Sequence, residues 1–276
     1  MTKSPKISVI VPCFNHGEFL PEAVASVTSM NRDDVELIVV DDGSTDERTR
    51  KEMDVLEATG IFVIRQEHKG LAAARNAGIS ASRGEYILPL DADNRIRPAY
   101  IEHGIRVLDA NPKVGVVYGD QYRIPHNGAN DPRRPLGRAS PGPLLPSRLM
   151  ACNYIDACAV YRRVIWEQNG GYDATMPFQG LEDWDFWLGA LEHGWEFHYV
   201  PQILFDYRVS GDSMITRTYD RDAEIHAFLG NKHGRLYRDA WAELAVEHES
   251  GKATFRNLRR LIKLRIAQKL ARNGHR

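Results

Sequence analysis

Apolar and polar positions alternate along the first 120 residues with a period that changes from segment to segment. Short apolar runs, typical of buried strands, are followed by segments whose apolar residues recur every three to four positions, as in an amphipathic helix. The runs predicted as strands cover residues 6–11, 35–40, 61–65, 85–90 and 114–118. The segments predicted as helices cover residues 18–30, 46–58, 71–82 and 98–110. This alternation predicts right-handed βαβ units and an α/β fold with a Rossmann-like, doubly wound, mostly parallel sheet.

The pattern changes near residue 120. Residues 123–148 carry six prolines with several glycine and arginine residues, and this composition predicts a long irregular segment. Regular structure is predicted again at 155–161, in a helix at 182–193, in short strands at 197–200 and 203–207, and in a helical tail from about residue 219. We therefore expect one domain over 1–218, with halves at 1–120 and 121–218, and a helical, basic extension over 219–276.

The extension is strongly basic. No acidic residue follows Glu249, whereas nine lysine and arginine residues do, and residues 255–270 place apolar side chains on one helical stripe. Such a helix either lies on an anionic membrane surface or docks on the rest of the protein, and both interpretations stay open. Nucleic-acid binding is a poorer fit, because no aromatic residues are interleaved with the charges.

Composition adds little to this picture. The 276 residues are 43% hydrophobic and 26% charged, with a formal net charge of −1, so no polyanionic partner is indicated. We expect neither a signal peptide nor a membrane span, since no apolar run approaches the ~20 residues that a span needs. Cys13, Cys152 and Cys158 are not spaced like a zinc site or a redox pair. We expect a cytoplasmic protein, with peripheral membrane contact through the basic tail as the alternative.

Polar clusters follow three of the predicted strands, at residues 12–15, 41–44 and 91–94. Ligands of a doubly wound sheet bind beyond the carboxyl ends of its strands, so we expect these clusters to meet at one edge. Asp91 and Asp93 stand two residues apart, and in extended backbone their carboxylates point the same way. Such hard oxygen ligands suit Mg²⁺ or Mn²⁺, which bind nucleotide phosphates. Each cluster taken singly also fits an ordinary turn.

Two common phosphate-binding motifs are absent. Residues 12–17 lack the G-x-G-x-x-G of dinucleotide enzymes, which disfavours nicotinamide and flavin cofactors. A P-loop is also missing, because Val246 stands where its first glycine is needed before Gly251 and Lys252. Phosphate must then be held in another way, and a metal ion on Asp91 and Asp93 is the candidate.

Four motifs occur in order: VIVPCFN at 9–15, VVDDGSTD at 39–46, GLAAARNAG at 70–78 and LDAD at 90–93. Together they resemble the GT-A family 2 glycosyltransferases, which are inverting and use nucleotide sugars. The resemblance covers about residues 6–210 and implies a GT-A fold with a nucleotide-binding half and an acceptor-side half. It implies that Pro12 and Asn15 lie along the nucleoside and that Asp42, with Asp41, accepts hydrogen bonds from uracil or ribose.

The resemblance also assigns roles near the phosphates. It implies that Arg75 lies close to the nucleotide and its phosphates. Asp93 would be the direct metal ligand, while Asp91 and Ala92 would contact the nucleotide sugar. Many relatives also carry a histidine shortly after a Tyr-Arg pair, where it can complete the metal site. No histidine follows Tyr207 and Arg208 here, and Asp212 is a weak substitute.

Inversion needs a base that takes the proton of the acceptor hydroxyl as it attacks. The family places this carboxylate in an E-D motif at the start of a helix, and Glu182 and Asp183 match that context. The resemblance implies that Asp183 is the base and that Glu182 is a supporting acceptor ligand. Acidic residues in a first helical turn also have a simpler explanation, their favourable interaction with the helix dipole.

These inferences predict a metal-dependent enzyme that moves one sugar from a nucleotide-sugar donor, UDP-linked, to a hydroxyl of a glycan or lipid-linked acceptor. The expected setting is cell-surface polysaccharide or glycoconjugate synthesis. The Q-x-x-R-W motif and membrane helices of the processive members are absent, which favours single additions. Two alternatives stay open. A sugar nucleotidyltransferase would need a glycine-rich, lysine-bearing first loop, and a non-catalytic module would bind nucleotide sugars without turnover.

Overall fold

The computed structural model of the protein describes residues 4–126, 135–210 and 221–249. In these ranges the strands are β1 (Ile7–Cys13), β2 (Val35–Asp41), β3 (Phe62–Arg65), β4 (Tyr86–Pro89), β5 (Arg95–Ile96), β6 (Val114–Pro125), β7 (Gly137–Ala139), β8 (Val160–Arg162) and β9 (Glu196–Val209). The helices are α1 (Leu20–Thr28), α2 (Glu47–Ala58), α3 (Leu71–Ala81), α4 (Pro98–Ala110), α5 (Pro146–Leu149), α6 (Arg163–Asn169), α7 (Glu182–Glu192), α8 (Asp222–Lys232) and α9 (Gly234–Glu249). None of the helices in these ranges is both long and apolar enough to cross a membrane.

The strands form one mixed sheet in the order β3-β2-β1-β4-β8-β6-β9-β5, and β7 pairs with β6 beside this path. The strands β3, β2, β1 and β4 are parallel to one another, and β6 is parallel to β9. Strand β8 is antiparallel to β4 and β6, which flank it. Helices cover both faces of this sheet. The predicted α/β fold with a mostly parallel sheet is therefore confirmed.

Strand β1 shows why the sheet is buried on both faces. All of its residues are buried, and successive side chains point to opposite faces of the sheet. Ile10 joins the core that α3 and α7 cover, whereas Val9 and Val11 join the core that α1, α2 and α4 cover. A continuous apolar run is what a doubly covered parallel strand requires.

The second half of the sheet differs from its prediction. The two short strands expected at 197–200 and 203–207 are one strand, β9, which runs alongside a β6 that is twelve residues long. The register jumps from Gly119 opposite Val200 to Asp120 opposite Ile203. This bulge leaves Pro201 and its successor outside the ladder, so the proline does not end the strand.

Other predicted boundaries in this half were also wrong. The segment expected to be irregular over 123–148 contains β7 and α5, and residues 127–134 lie outside the described ranges. Only the end of the segment 155–161 becomes a strand, β8, while β5 and α6 were not predicted. The predicted basic helix at 255–270 lies outside the described residues.

Buried charges attach the C-terminal helices to α7. Lys232 Nζ lies 2.8 Å from Asp185 Oδ2 and 2.6 Å from Asp173 Oδ2. Next to it, His233 places Nε2 2.9 Å from Asp185 Oδ1 and Nδ1 2.9 Å from Glu192 Oε2. Burial alone would lower the pKa of His233, but hydrogen bonds to these two carboxylates outweigh it and raise that pKa. The α8–α9 junction is therefore bound to α7 by charge.

Replacing His233 with glutamine is expected to lower the free energy of unfolding by about 1.5–3 kcal/mol at pH 6 and by less at pH 9. The folded-state pKa of His233 is raised, so its contribution is full below the unfolded-state pKa of about 6.5 and is lost as pH rises through the folded value. Urea unfolding at both pH values measures this difference. The exposed His193, at the end of α7, is the control, and its glutamine variant should lose little stability at either pH. An equal loss at both pH values for His233→Gln would contradict the prediction.

Candidate active site

The polar clusters that follow β1, β2 and β4 lie side by side at one edge of the sheet. Backbone hydrogen bonds fix this arrangement, because Asp42 N donates to Cys13 O over 2.9 Å and Leu90 N donates to Ile10 O over 2.9 Å. The carboxyl ends of the three parallel strands therefore lie at the same edge of the sheet, as the sequence predicted.

The first two clusters hold each other in shape. Asn15 adopts a left-handed backbone conformation (φ 57°), which asparagine tolerates, and its Oδ1 accepts a hydrogen bond from Thr45 N over 2.8 Å. Asp41, at the end of β2, accepts from Ser44 N over 2.9 Å. Pro12 is buried within β1. The structure thus brings Pro12, Asn15 and Asp41 to this edge of the sheet, where Asn15 and Asp41 hold the loops in shape.

Asp42 is buried and organises the loop that leads into α3. Its Oδ1 accepts from Gln66 Nε2 over 2.6 Å and from Lys69 N over 2.9 Å, and its Oδ2 accepts from Gly70 N over 2.8 Å. These donors use much of the capacity of the carboxylate. A nucleobase that binds Asp42 must therefore share its oxygens with this loop or displace Gln66.

An exposed aromatic pair lies beside Asp42. The rings of Phe14 and His68 stack with centroids 4.0 Å apart, and His68 Nδ1 lies 2.9 Å from Asp42 Oδ2. Phe14, the residue after β1, is 37% exposed. Sequence analysis did not single out His68, because its partner in the stack lies more than fifty positions away.

The third cluster forms a tight turn after β4. Asn94 N donates to Asp91 O over 2.9 Å, and Ala92 is buried. Arg208 of β9 supports the turn from behind, since its Nε donates to Asp93 O over 3.0 Å and its backbone N donates to Asn94 Oδ1 over 2.8 Å. Arg208 entered the sequence analysis only as part of a landmark pair, and the structure shows that it anchors this turn.

The Asp91–Asp93 pair fits a divalent cation that is completed by ligands from the substrate. Burial and the neighbouring charge of Asp91 raise the pKa of Asp93 to about 7, so a cation between the two carboxylates would relieve an unfavourable interaction. No set of three histidine, cysteine or acidic side chains in the described part of the chain is arranged to hold a metal. Two carboxylates suffice for Mg²⁺ or Mn²⁺ bound to phosphates and water. Asp212 lies outside the described residues.

Arg75 joins the Asp91 turn to helix α7. It is 1% exposed, and its guanidinium donates from Nη1 to Glu182 Oε1 over 2.6 Å and from Nη2 to Asp91 Oδ1 over 2.7 Å. Burial alone would lower the pKa of Arg75, but the two carboxylates outweigh it and raise that pKa well above its ordinary value. Helix α3 reaches this depth because Gly78 packs on β1, where a Cβ would lie 2.4 Å from Ile10 Cγ2. Arg75 is therefore a buried bridge between two acidic motifs.

Asp183 follows Glu182 in the first turn of α7 and is 8% exposed. Its Oδ1 accepts from Asn153 Nδ2 over 2.9 Å and from Trp184 N over 2.8 Å. Burial, then the charges of Glu182 and Asp156, raise the pKa of Asp183 well above its usual range, against the opposing effect of Arg75. A carboxylate with a raised pKa is suited to take and give a proton near neutral pH.

Asp183 lines a cavity of about 320 Å³. Asp156 lines it too, and burial together with the charge of Asp91 raises the pKa of Asp156 to about 7. Sequence analysis missed Asp156 because it lies in an apolar stretch that was interpreted as regular structure. A charged residue near the start of such a stretch was the available signal. The remaining wall carries polar and aromatic side chains, including Tyr118, Gln121, Ser140, Arg148, Asn153, Tyr154 and Tyr207.

Known sequences of one family match this chain. The model of Glycosyl transferase family 2 matches residues 8–170. EpsH of Bacillus subtilis (strain 168) is 35% identical over 230 residues, which cover 78% of this chain and 64% of EpsH. The chain spans only 23% to 42% of the lengths of three other curated relatives that it matches.

Solved structures show the same fold. S. aureus TarS (residues 1–349) in complex with UDP-GlcNAc superposes with a TM-score of 0.66 at 18% identity, covering 94% of this chain and 79% of TarS. The mannosyltransferase PcManGT from Pyrobaculum calidifontis, in complex with GDP-Man and Mn²⁺, gives a TM-score of 0.60 at 17% identity and covers 98% of this chain and 87% of PcManGT. At these identities the likeness concerns the fold alone.

Proposed function

The chain belongs to glycosyl transferase family 2, and from that premise we propose that it is a metal-dependent, inverting transferase of single sugars. The donor is a nucleotide sugar, UDP-linked, and the acceptor is a hydroxyl of a glycan or lipid-linked sugar in cell-surface polysaccharide or glycoconjugate synthesis. The family and the GT-A fold that the motifs implied are confirmed by the family match and by the likeness to TarS and PcManGT. Donor, acceptor, stereochemistry and metal use belong to the proposal.

One observation carries the proposal: the buried Arg75 bridges Asp91 and Glu182, and Glu182 directly precedes Asp183 in α7. It joins the turn expected to hold the donor phosphates to the helix expected to hold the base. A cation on Asp91 and Asp93 would offset the charge that develops on the departing nucleoside diphosphate. The cavity beside Asp183 would admit the acceptor, whose hydroxyl gives its proton to that carboxylate as it attacks the anomeric carbon.

UDP is favoured as the nucleotide because TarS, whose fold the chain shares, was solved with UDP-GlcNAc. PcManGT was solved with GDP-Man, so GDP is the first alternative to test. Release of UDP rather than pyrophosphate would separate a transferase from a sugar nucleotidyltransferase. A non-catalytic module is disfavoured because it has no use for a buried carboxylate with a raised pKa beside an open cavity.

Calorimetric titration of UDP, GDP, dTDP and CMP, each with and without Mn²⁺, tests the donor side of the proposal. We expect manganese-dependent binding of one nucleotide, and Asp93→Ala should weaken it by at least about tenfold because a metal ligand is lost. The matched control is Asp33→Ala, which removes an exposed acid in the turn before β2. Manganese-independent binding, or equal binding by Asp93→Ala and the native protein, would contradict the proposed metal site.

A further inference from the structure

We infer that Asn153 is a positioning residue for Asp183, fixing which carboxylate oxygen is free to take the proton of the attacking hydroxyl. The inference rests on the proposed function, since it concerns the same base. Asn153 lies on the segment between α5 and β8, thirty residues before Asp183 in sequence.

Hydrogen bonds distinguish the two oxygens of Asp183. Oδ1 accepts from Asn153 Nδ2 over 2.9 Å and from Trp184 N over 2.8 Å. No hydrogen bond of the described residues reaches Oδ2. An ionised carboxylate only accepts, so the nitrogen of the Asn153 amide must face it. The geometry therefore assigns the proton transfer to Oδ2, while Oδ1 is held by two donors.

Helix α7 and the C-terminal helices also hold Asn153 in place. The indole Nε1 groups of Trp184 and Trp187 donate to Leu149 O and Ile155 O on either side of it. Tyr237 of α9 donates its hydroxyl to Met150 O over 2.7 Å. The segment that carries Asn153 is thus fastened to the helix that carries Asp183, and the two side chains keep a fixed relation.

The other end of the Asn153 amide points to a ligand. Its Oδ1 is buried and has no hydrogen-bond partner among the described residues, although the side chain lines the same cavity as Asp183. A buried carbonyl oxygen without a donor is unfavourable, because it has lost its hydrogen bonds to water. We assign this oxygen to a substrate hydroxyl that enters the cavity, so one amide would contact both base and substrate.

The charged groups that face Asp183 define the test. Glu182 of α7 and Asp156 disfavour its ionised form, whereas Arg75 of α3 favours it. The amide of Asn153 adds a hydrogen bond to the ionised form, so its loss should raise the pKa of the base. Asn153→Ala removes the donor, and the isosteric Asn153→Asp replaces it with a third nearby acid.

The experiment is the pH dependence of UDP release from UDP-GlcNAc and Mn²⁺, with water as the acceptor. The acid limb of the pH–rate profile should move to higher pH by about one unit in Asn153→Ala and further in Asn153→Asp. The KM for the donor should stay within about twofold of the native value. The control is Asn169→Ala, which removes an amide at the end of α6 that donates to Phe186 O, a backbone oxygen of the helix that carries Asp183. That variant should leave the acid limb in place.

A carboxyl-carbon NMR titration of Asp183, identified by the signal that Asp183→Asn removes, measures the same pKa without turnover. If both Asn153 variants kept the native acid limb of the pH–rate profile and the native NMR pKa of Asp183, while Asp183→Asn was inactive, the role of Asn153 alone would be overturned. Full UDP release by Asp183→Asn would overturn the base itself and therefore the proposed function. An NMR pKa of Asp183 that rises from the native protein to Asn153→Ala and again to Asn153→Asp would support the inference.

Discussion

Replacing Asp183 with asparagine is expected to lower the transfer rate by about 10²–10⁴-fold and to leave nucleotide affinity unchanged. The amide has the shape of the carboxylate, so its oxygen can still accept from Asn153 and Trp184, but it cannot take a proton. The loss should therefore appear in kcat and not in donor binding, as expected for an interaction made in the transition state. Initial rates of UDP release and calorimetry of UDP with Mn²⁺ measure the two quantities.

The matched control is Glu102→Gln, an acid-to-amide change on an exposed position of α4. It should keep the native rate, which shows that loss of one negative charge is not itself the cause. Near-native transfer by Asp183→Asn would mean that another group, with Asp156 the nearest candidate in the cavity, removes the proton.

Replacing Arg75 with alanine is expected to lower the free energy of unfolding by about 3–5 kcal/mol and to abolish transfer. The change leaves Glu182 buried and Asp91 half-buried without the guanidinium that they share, and an uncompensated buried charge is strongly destabilising. Lysine should not restore activity, because a single ammonium cannot reproduce the forked contact with two carboxylates. Urea unfolding and UDP release report the two effects.

Two further variants separate charge from packing. Arg83→Ala removes an arginine that is 67% exposed and pairs with Glu36, so it should cost less than about 1 kcal/mol. The double variant Arg75→Leu, Glu182→Gln removes a cation and an acid together and should recover part of the stability but none of the transfer. If Arg75→Ala lowered the free energy of unfolding no more than Arg83→Ala does, the bridge that Arg75 forms would contribute little to stability.

The first half of the fold could be predicted because its signals are local. Each of its parallel strands is a short apolar run that ends in polar residues where the chain enters a loop. The shared edge at which the three polar clusters lie therefore followed from the sequence. The second half resisted prediction because bulges and long-range pairing decide it. A proline normally ends a strand. Strand β9 continues beyond Pro201 because the pairing with β6 shifts in register there and leaves the proline outside the ladder.

The candidate site divides in the same way. The acids at 91, 93, 182 and 183 lie in recognisable motifs, and their proposed roles wait for the measurements above. The sequence could not show that Arg75 bridges two of these motifs, because 107 residues separate it from Glu182 and nothing in an alanine-rich helix predicts burial of an arginine. Asn153 had no local signal at all, since its importance depends on a contact across thirty residues.

The ion pairs at the α8–α9 junction have a consequence for biosynthesis. A chain emerging from the ribosome exposes the Asp183 helix about forty residues before Lys232 and His233 appear. Until then Asp185 has neither of its cationic partners, and an unpaired acid resists burial. Helix α7 is therefore expected to dock late in synthesis, so a nascent chain stalled before residue 232 should remain sensitive to protease in this region.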